Sequence, residues 1–459
     1  MGSSAIGNSE NVIIRSVDWT AAEKEALELF QSLVRVDTTN PPGNETAAAE
    51  LLADFHRARG FAPTLLESAP GRGNLIVRLK GDGTKPPLVL TAHLDVVPAE
   101  GDGWKHPPFG AEIHDGYLWG RGAVDMKNMA AMSAVVLHLL KESGAALKRD
   151  VIFAAVADEE AGSRWGAKWL VDHHPELVRA EYALGEIGGW TLHFGKVTYY
   201  PIQVAEKGTL WGKLRAKGTP GHGSMPREDN AVVRLAKAVS DLGRVRLPQH
   251  PSAPVEAMVS ALAKEQGFPV GTVLKQVLRP ALAPQVLKVM PASVRRGFAA
   301  LLSNTATPTV LRAGSKTNVI PGVAEAEFDG RLAPGQTKDD LLREIREVVG
   351  RDVEIEVVDT TPPVEVPYET ELFDALQAAV KRADPTGVPI PYVIPGFTDA
   401  RAFTKLGIKY YGFAPLQLPR EGNLAFTDLY HGNDERAPVE GFKWGLRLLF
   451  DAVKTFCET

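Results

Sequence analysis

The sequence predicts an α/β protein whose larger domain is built on a mainly parallel sheet, interrupted by an inserted, smaller α+β domain that carries an extra helical segment. Three observations predict it. Short apolar runs such as PPLVLTAHLDVVP and DVIFAAVA alternate with stretches of helical periodicity, the pattern of a parallel sheet covered on both faces. After Glu206-Lys207-Gly208 the pattern turns to alternation, as in TLWGKLRAK, which suits strands with one wet face. Beyond the Pro-rich DTTPPVEVP the first style returns.

Apolar positions recur at helical spacing over 20–34 and again over 44–59, after the turn TTNPPG and with Asn44 as a capping residue. PPLVLTAHLDVVP is too short and too β-branched for a helix and reads as a buried strand. EIHDGYLWGRGAVD has turn residues at both ends, 126–140 is an apolar helix, 150–157 is a second buried strand and 166–172 another helix. In the inserted region 230–242 is helical, and 255–302 is helical with breaks at Pro269, Pro280, Pro284 and Pro291. EAEFDGRLA and DVEIEVVD return to alternation. Residues 369–382, GIKYYGFAPL and a C-terminal helix complete the first domain. The expected boundaries are 12–207 and 362–459 for the larger domain and 208–361 for the insert, with the helical insertion at about 255–305.

At 459 residues the chain exceeds what one hydrophobic core usually supports. Its 44% apolar and 23% charged residues are ordinary for a globular protein, and a net charge of -5 gives no sign of nucleic-acid binding. One cysteine, Cys457, excludes an internal disulfide and fits a reducing compartment. Residues 1–11 read as a disordered lead, and no apolar run reaches the roughly 18 residues of a membrane span. The expectation is a cytoplasmic protein without membrane or nucleic-acid partners.

VIFAAVADEEAGS drives an apolar strand into three carboxylates, Asp158, Glu159 and Glu160. Acidic residues suit a helix N-terminus, but carboxylates crowded at the carboxyl end of a strand also suit a cation. His93 and Asp95, two apart in TAHLDVV, fit a metal ligand with the carboxylate that fixes its ring, and equally a buried histidine with an acidic partner. Asp125, between GRG and MKN, fits a ligand or a helix N-cap. All three motifs stand at or just after expected strand ends, where a parallel sheet converges its ligands.

In this order, AHLDVVP, GRGAVDMKN and ADEEAGS resemble the three metal-site motifs of the di-zinc aminoacylases, carboxypeptidases, dipeptidases and succinyl-diaminopimelate desuccinylases. YALGEIGG is similar to the fourth, and GTPGHGSMP, KTNVIPG, FDGRLAPG, PGFTDAR and YHGNDE extend the resemblance. It implies a zinc-hydrolase catalytic domain with an inserted lid and dimerisation domain, and a small substrate, a peptide or N-acyl amino acid with a free carboxylate. One zinc falls to His93 and Glu186 and the other to Glu160 and His431, with Asp125 bridging; cobalt or manganese suit the same donors. Two ions about 3.5 to 4 Å apart can share a hydroxide and polarise a carbonyl. Glu159 is then the general base, Asp95 supports the catalytic centre through His93, and His222 stabilises the oxyanion, commonly across a homodimer. Arg331 matches the substrate-carboxylate position, with Asn318 and Gly396 lining the same pocket.

Two zinc ions bring +4 against -4 from Asp125, Glu159, Glu160 and Glu186, so a substrate carboxylate wants its own cation, which the resemblance implies is Arg331, although the residue alone reads equally as a surface or strand-edge arginine. A protein of this family that binds metal and peptide without turnover, as sensor or scaffold, is the competing reading; an intact Glu159 and His222 speak against it. Two positions depart from the family wording: Ile187 follows Glu186 where glycine is usual, and Phe397 replaces a small residue. His106, His114, His138, His173 and His174 are assigned structural roles.

Overall fold

Strands of six residues without a polar side chain except Thr91 and His93 can only be satisfied inside a sheet, and Leu88–His93 and Val151–Val156 are buried along their whole length. Burying one Val, Leu, Ile or Phe is worth roughly 1.5 to 3 kcal/mol, so this pair anchors the core. The computed structural model describes residues 16–99, 103–421 and 424–459. The expected disordered lead, residues 1–11, lies outside the described residues.

The chain divides into two units. The first comprises Met1–His193, Glu369–Val388 and Ala402–Thr459. Its strands are ordered Thr64–Glu67, Gly73–Leu79, Val151–Val156, Leu88–His93, Tyr182–Gly185 and Lys409–Gly412. The last four run parallel, while the first two form an antiparallel edge. The helix Lys127–Glu142 packs on Leu88–His93 and Val151–Val156, and also against Trp19–Arg35 and Val439–Glu458. Asp18 caps Trp19–Arg35 through the Thr20 and Ala21 N–H groups. Glu45–Arg57 follows Asn44, but the Asn44 side chain makes no cap bond.

The second unit comprises Phe194–Tyr368 and Pro389–Arg401. Its four-stranded antiparallel sheet is ordered Thr305–Ala313, Val323–Leu332, Gly208–Lys217 and Val353–Thr361. Val323–Leu332 alternates buried and wetter positions as its sequence pattern requires. Its buried side, with Leu210, Leu214 and Phe328, packs with Leu235 and Ile345 of the helices Ala231–Arg244 and Lys338–Val349. The Pro-broken stretch forms Ala253–Gln266, Val270–Leu274, a 3-10 turn, Ala283–Val289 and Ala292–Leu302. Lys207 fixes its end: Nζ donates to the Ala300 and Ser303 carbonyls at 2.8 and 2.7 Å, and burial pulls this amine down to about 7.

Among the described residues no helix is long and apolar enough to cross a membrane. In the first unit His56 is buried between the rings of Phe55, Phe61 and Phe153, with no hydrogen bond to either ring nitrogen. Burial, helped by Arg59, lowers it to about 3. The unfolded chain therefore takes up a proton below about pH 6.5 that the folded chain refuses until about pH 3. Stability should fall as pH drops through that window, by up to about 1.4 kcal/mol per unit from this residue. In urea titrations at pH 7.5 and 5.5, His56→Phe should lose less stability on acidification than the wild type; an identical loss would refute the assignment.

Candidate metal centre

The parallel strands stop where the candidate donors begin. His93 is the last residue of Leu88–His93, Glu159 and Glu160 follow Val151–Val156 in a turn, and Glu186 directly follows Tyr182–Gly185. Asp125 ends the loop before Lys127–Glu142, and His431 sits in the turn before Arg436–Pro438. Convergence at strand carboxyl ends is what a parallel sheet offers a ligand.

Two donor sets share one residue. Donor atoms of His93, Asp125 and Glu186 lie within 4.8 Å of one another, and so do those of Asp125, Glu160 and His431. Asp125 divides its oxygens between them: Oδ1 is 3.0 Å from His93 Nε2, and Oδ2 is 3.4 Å from His431 Nε2. His93 Nε2 is also 3.6 Å from Glu186 Oε2, and His431 Nε2 is 3.1 Å from Glu160 Oε2. Asp125 does not cap the following helix, whose N-cap is Met126 without a side-chain bond. Its carboxylate is turned to the two imidazoles instead.

Protonation follows from this crowding. Asp125 and Glu160 raise His431 to about 10. Burial works against a charge on His93, yet Asp125, Asp95 and Glu186 raise it well above the usual imidazole range. Burial pushes Asp125 up, but His431 and His93 outweigh it and hold the carboxyl below its usual range. Burial and the Asp125 charge raise Glu160. The cluster demands positive charge, and Glu160 Oε1 is buried without a hydrogen-bond partner among the described residues. Imidazole nitrogens mixed with carboxylate oxygens suit zinc-like divalent ions, so the residues present fit two metals sharing Asp125.

Asp95 acts mainly on the backbone. Its carboxylate accepts from the Glu159 and Glu160 N–H groups at 3.0 and 3.1 Å and from Asn40 Nδ2 at 2.8 Å. The strand ends at His93, yet the Asp95 carboxylate still lies beside the ring: His93 Nδ1 is 3.0 Å from the Asp95 carbonyl and 3.5 Å from Oδ1. Asp158, the unassigned acid of the triplet, has φ 67 and pairs with Arg72 at 2.5 Å, with Oδ2 accepting from the Trp165 N–H. Arg72 also reaches Glu45 at 3.0 Å and the Pro42 carbonyl at 2.6 Å. Ile187 adopts φ 61, a left-handed conformation costly for a β-branched residue, beside the donor Glu186.

Glu435 escaped the sequence reading although YHGNDE contains it. It is fully buried and accepts from Arg121 Nη1 at 2.7 Å and from the Gly122, Val124 and Asp125 N–H groups at 3.1, 2.7 and 3.2 Å. Burial raises it to about 7, with Arg121 opposing. One carboxylate thus shapes the loop that presents Asp125. A further donor set, His106, Glu112 and His114, is more exposed, its two rings stacked at 3.9 Å.

Arg331, Asn318, Gly396 and His222 belong to the second unit. Arg331 Nε and Nη2 donate to Asp329 at 2.6 and 2.9 Å, while Nη1 is buried without a hydrogen-bond partner among the described residues. The Phe397 ring has the Arg401 guanidinium 3.9 Å and that of Arg331 5.8 Å from its centroid, so the unusual aromatic residue serves two cations. His222 is exposed, with Nδ1 2.7 Å from Ser224 Oγ; Asn318 is exposed and Gly396 half-buried.

The fold and the paired donor sets, taken with the family match and relatives that follow, are those of a metal-dependent hydrolase of amide or peptide bonds. Residues 89–455 match peptidase family M20/M25/M40, and the chain belongs to that family. It is 30% identical to human N-fatty-acyl-amino acid synthase/hydrolase PM20D1 over 94% of this chain and 87% of that protein. Pig aminoacylase-1 is 27% identical, over 90% and 91%. In fold it is similar to an M20 family metallo-carboxypeptidase from Sulfolobus solfataricus, with TM-score 0.70 and 20% identity over 94% of this chain and 99% of that one. A dinuclear metal-binding peptidase from Bacillus subtilis gives TM-score 0.60 and 14% identity over 96% and 99%.

Glu435→Ala should cost about 3 to 5 kcal/mol, because it strands the buried Arg121 and three N–H groups. Denaturation of the metal-loaded variant, compared with a surface Glu440→Ala control, checks this; equal stability would show that Glu435 does not hold the loop.

Proposed function

We propose that this chain is a two-metal amidohydrolase that releases an amino acid from small carboxylate-bearing amides, with N-acyl amino acids as the preferred class and dipeptides as near analogues. The division of the two Asp125 oxygens between two donor sets is the observation that carries the reading. The named activities of PM20D1 and aminoacylase-1 support the acyl side of the substrate class.

In this reading His93 and Glu186 hold one ion, Glu160 and His431 the other, and Asp125 both. When bound, the two ions supply an activated water and a polarised carbonyl at neutral pH. Glu159 is 4% exposed, with its N–H fixed on Asp95. It takes the proton from the attacking water and delivers it to the departing nitrogen, which leaves as a neutral amine. Asp95 positions Glu159 and Glu160 together and orients the His93 ring through its carbonyl. Arg331 takes the substrate carboxylate through Nη1, which is not committed to Asp329. His222 donates to the developing oxyanion, Asn318 and Gly396 line the pocket, and the active assembly is a homodimer through the inserted domain.

Glu159→Gln should keep both metal ions and lower kcat by at least about a hundredfold, the lower range for a positioned general base. Metal content and turnover measured on one preparation test this, and retained turnover would remove Glu159 from the mechanism. Arg331→Ala should raise KM for N-acyl amino acids about tenfold or more, with little change for the corresponding carboxamides; equal effects on both would show that Arg331 does not read the carboxylate. A panel of N-acyl amino acids, dipeptides and N-succinyl substrates, assayed with zinc and after chelation, tests the class. Activity that survives chelation would defeat the whole reading, and a metal-loaded protein inert to every substrate would favour the sensor.

A further inference from the structure

A cavity of about 610 Å3 lies within the second unit, between the Leu242–Gln249 segment, the helices Ala283–Val289 and Ala292–Leu302, and the start of Thr305–Ala313. That volume falls within the roughly 300 to 1,000 Å3 of small-molecule sites. Leu247, Pro284, Leu287 and Ala299 give it apolar walls, while Arg246 and Arg296 stand on its lining as exposed cations. Neither guanidinium is paired with a carboxylate among the described residues. Glu344, whose carboxylate accepts from the lining residue Asn304 at 3.1 Å, is already engaged by His250 at 2.5 Å.

The charged residues that line the cavity, Arg246 and Arg296, are both cations. From Gln266 to Ala324 the sequence has no Asp or Glu but seven Lys and Arg: Lys275, Arg279, Lys288, Arg295, Arg296, Arg312 and Lys316. This occurs in a protein whose net charge is -5. An apolar cavity with two uncommitted guanidinium groups and no competing acid matches an amphiphile with one apolar chain and an anionic end. A neutral lipid would gain nothing from the two arginines, and a small anion would leave the apolar walls wet.

We propose that this cavity is a binding site for a long-chain carboxylate, its chain against Leu247, Leu287 and Ala299 and its carboxylate on Arg246 and Arg296. The site is separate in residues from the metal-ligand set and does not depend on the function proposed for that set. Two sources share this chemistry: a free fatty acid and an N-acyl amino acid.

Titration calorimetry on the full, zinc-loaded chain in a Glu159→Gln background separates them, with dodecanoate and N-dodecanoylglycine as probes and hexanoate and dodecanol as controls. Dodecanoate should bind, and hexanoate and dodecanol at least about tenfold more weakly. Arg246→Glu with Arg296→Glu should weaken dodecanoate about tenfold or more, and Leu287→Trp, which fills the cavity without touching charge, should do the same. Preferential loss of one probe in both variants names the source. Melting temperatures within a few degrees of the parent show that the variants fold. Undiminished dodecanoate binding in both variants would overturn the proposal, as would equal binding of dodecanol. Loss of self-association in sedimentation, with dodecanoate binding unchanged, would assign the cavity to a second copy of the chain and also overturn it. Turnover of the acylglycine in this background would count against Glu159 as the base, and the dodecanoate titration would still decide the cavity.

Discussion

Like charges buried together must be neutralised, and this constraint organises the first unit. Asp125, Glu160 and Glu186 are each buried or nearly so, at the ends of strands or in the loops beside them. Without an opposing charge, such a cluster would protonate or pull apart. Two imidazoles supply donor nitrogens on either side of Asp125, and their raised pKa values show how strongly the carboxylates call for a cation. A dication would answer that demand with twice the charge of a proton and would leave the rings neutral as ligands.

The surrounding structure serves to hold that arrangement. Asp95 fixes the Glu159 and Glu160 backbones at once, so the proposed base and the neighbouring donor cannot move independently. Behind it, Asn40 links Asp95 to Asp158, and Arg72 binds Asp158 and Glu45. On the other side Glu435 holds the loop of Asp125. The three acids of ADEEAGS are therefore held differently: Asp158 joins the turn to Arg72, Glu159 has its N–H on Asp95, and Glu160 faces His431.

The convergence of the candidate donors was legible because each lies in a short stretch of distinctive wording next to an apolar strand, and the strand ends fix where they meet. Their supports were not. Glu435 meets the Asp125 N–H across 310 residues of sequence, and Arg72 meets Asp158 across 86. No periodicity links such partners, since their pairing is made by the sheet order rather than by neighbourhood. Asp125 could be read as a cap because its place before a helix suits one; only the direction of its carboxylate decides otherwise. Asp95 was legible as the partner of His93, with Oδ1 3.5 Å from Nδ1, but its hold on the Glu159 and Glu160 N–H groups, 64 and 65 residues further along the chain, was not. In the second unit, the Pro-broken helices follow the punctuation of the sequence, but the cavity they wall is a product of packing alone.

Metal counting in the purified chain tests the shared carboxylate most directly. With excess zinc and gel filtration before elemental analysis, the wild type should retain two ions per chain, His93→Ala and His431→Ala about one each, and Asp125→Ala essentially none. Two ions retained by Asp125→Ala, or a wild type that binds only one, would contradict a centre built on Asp125.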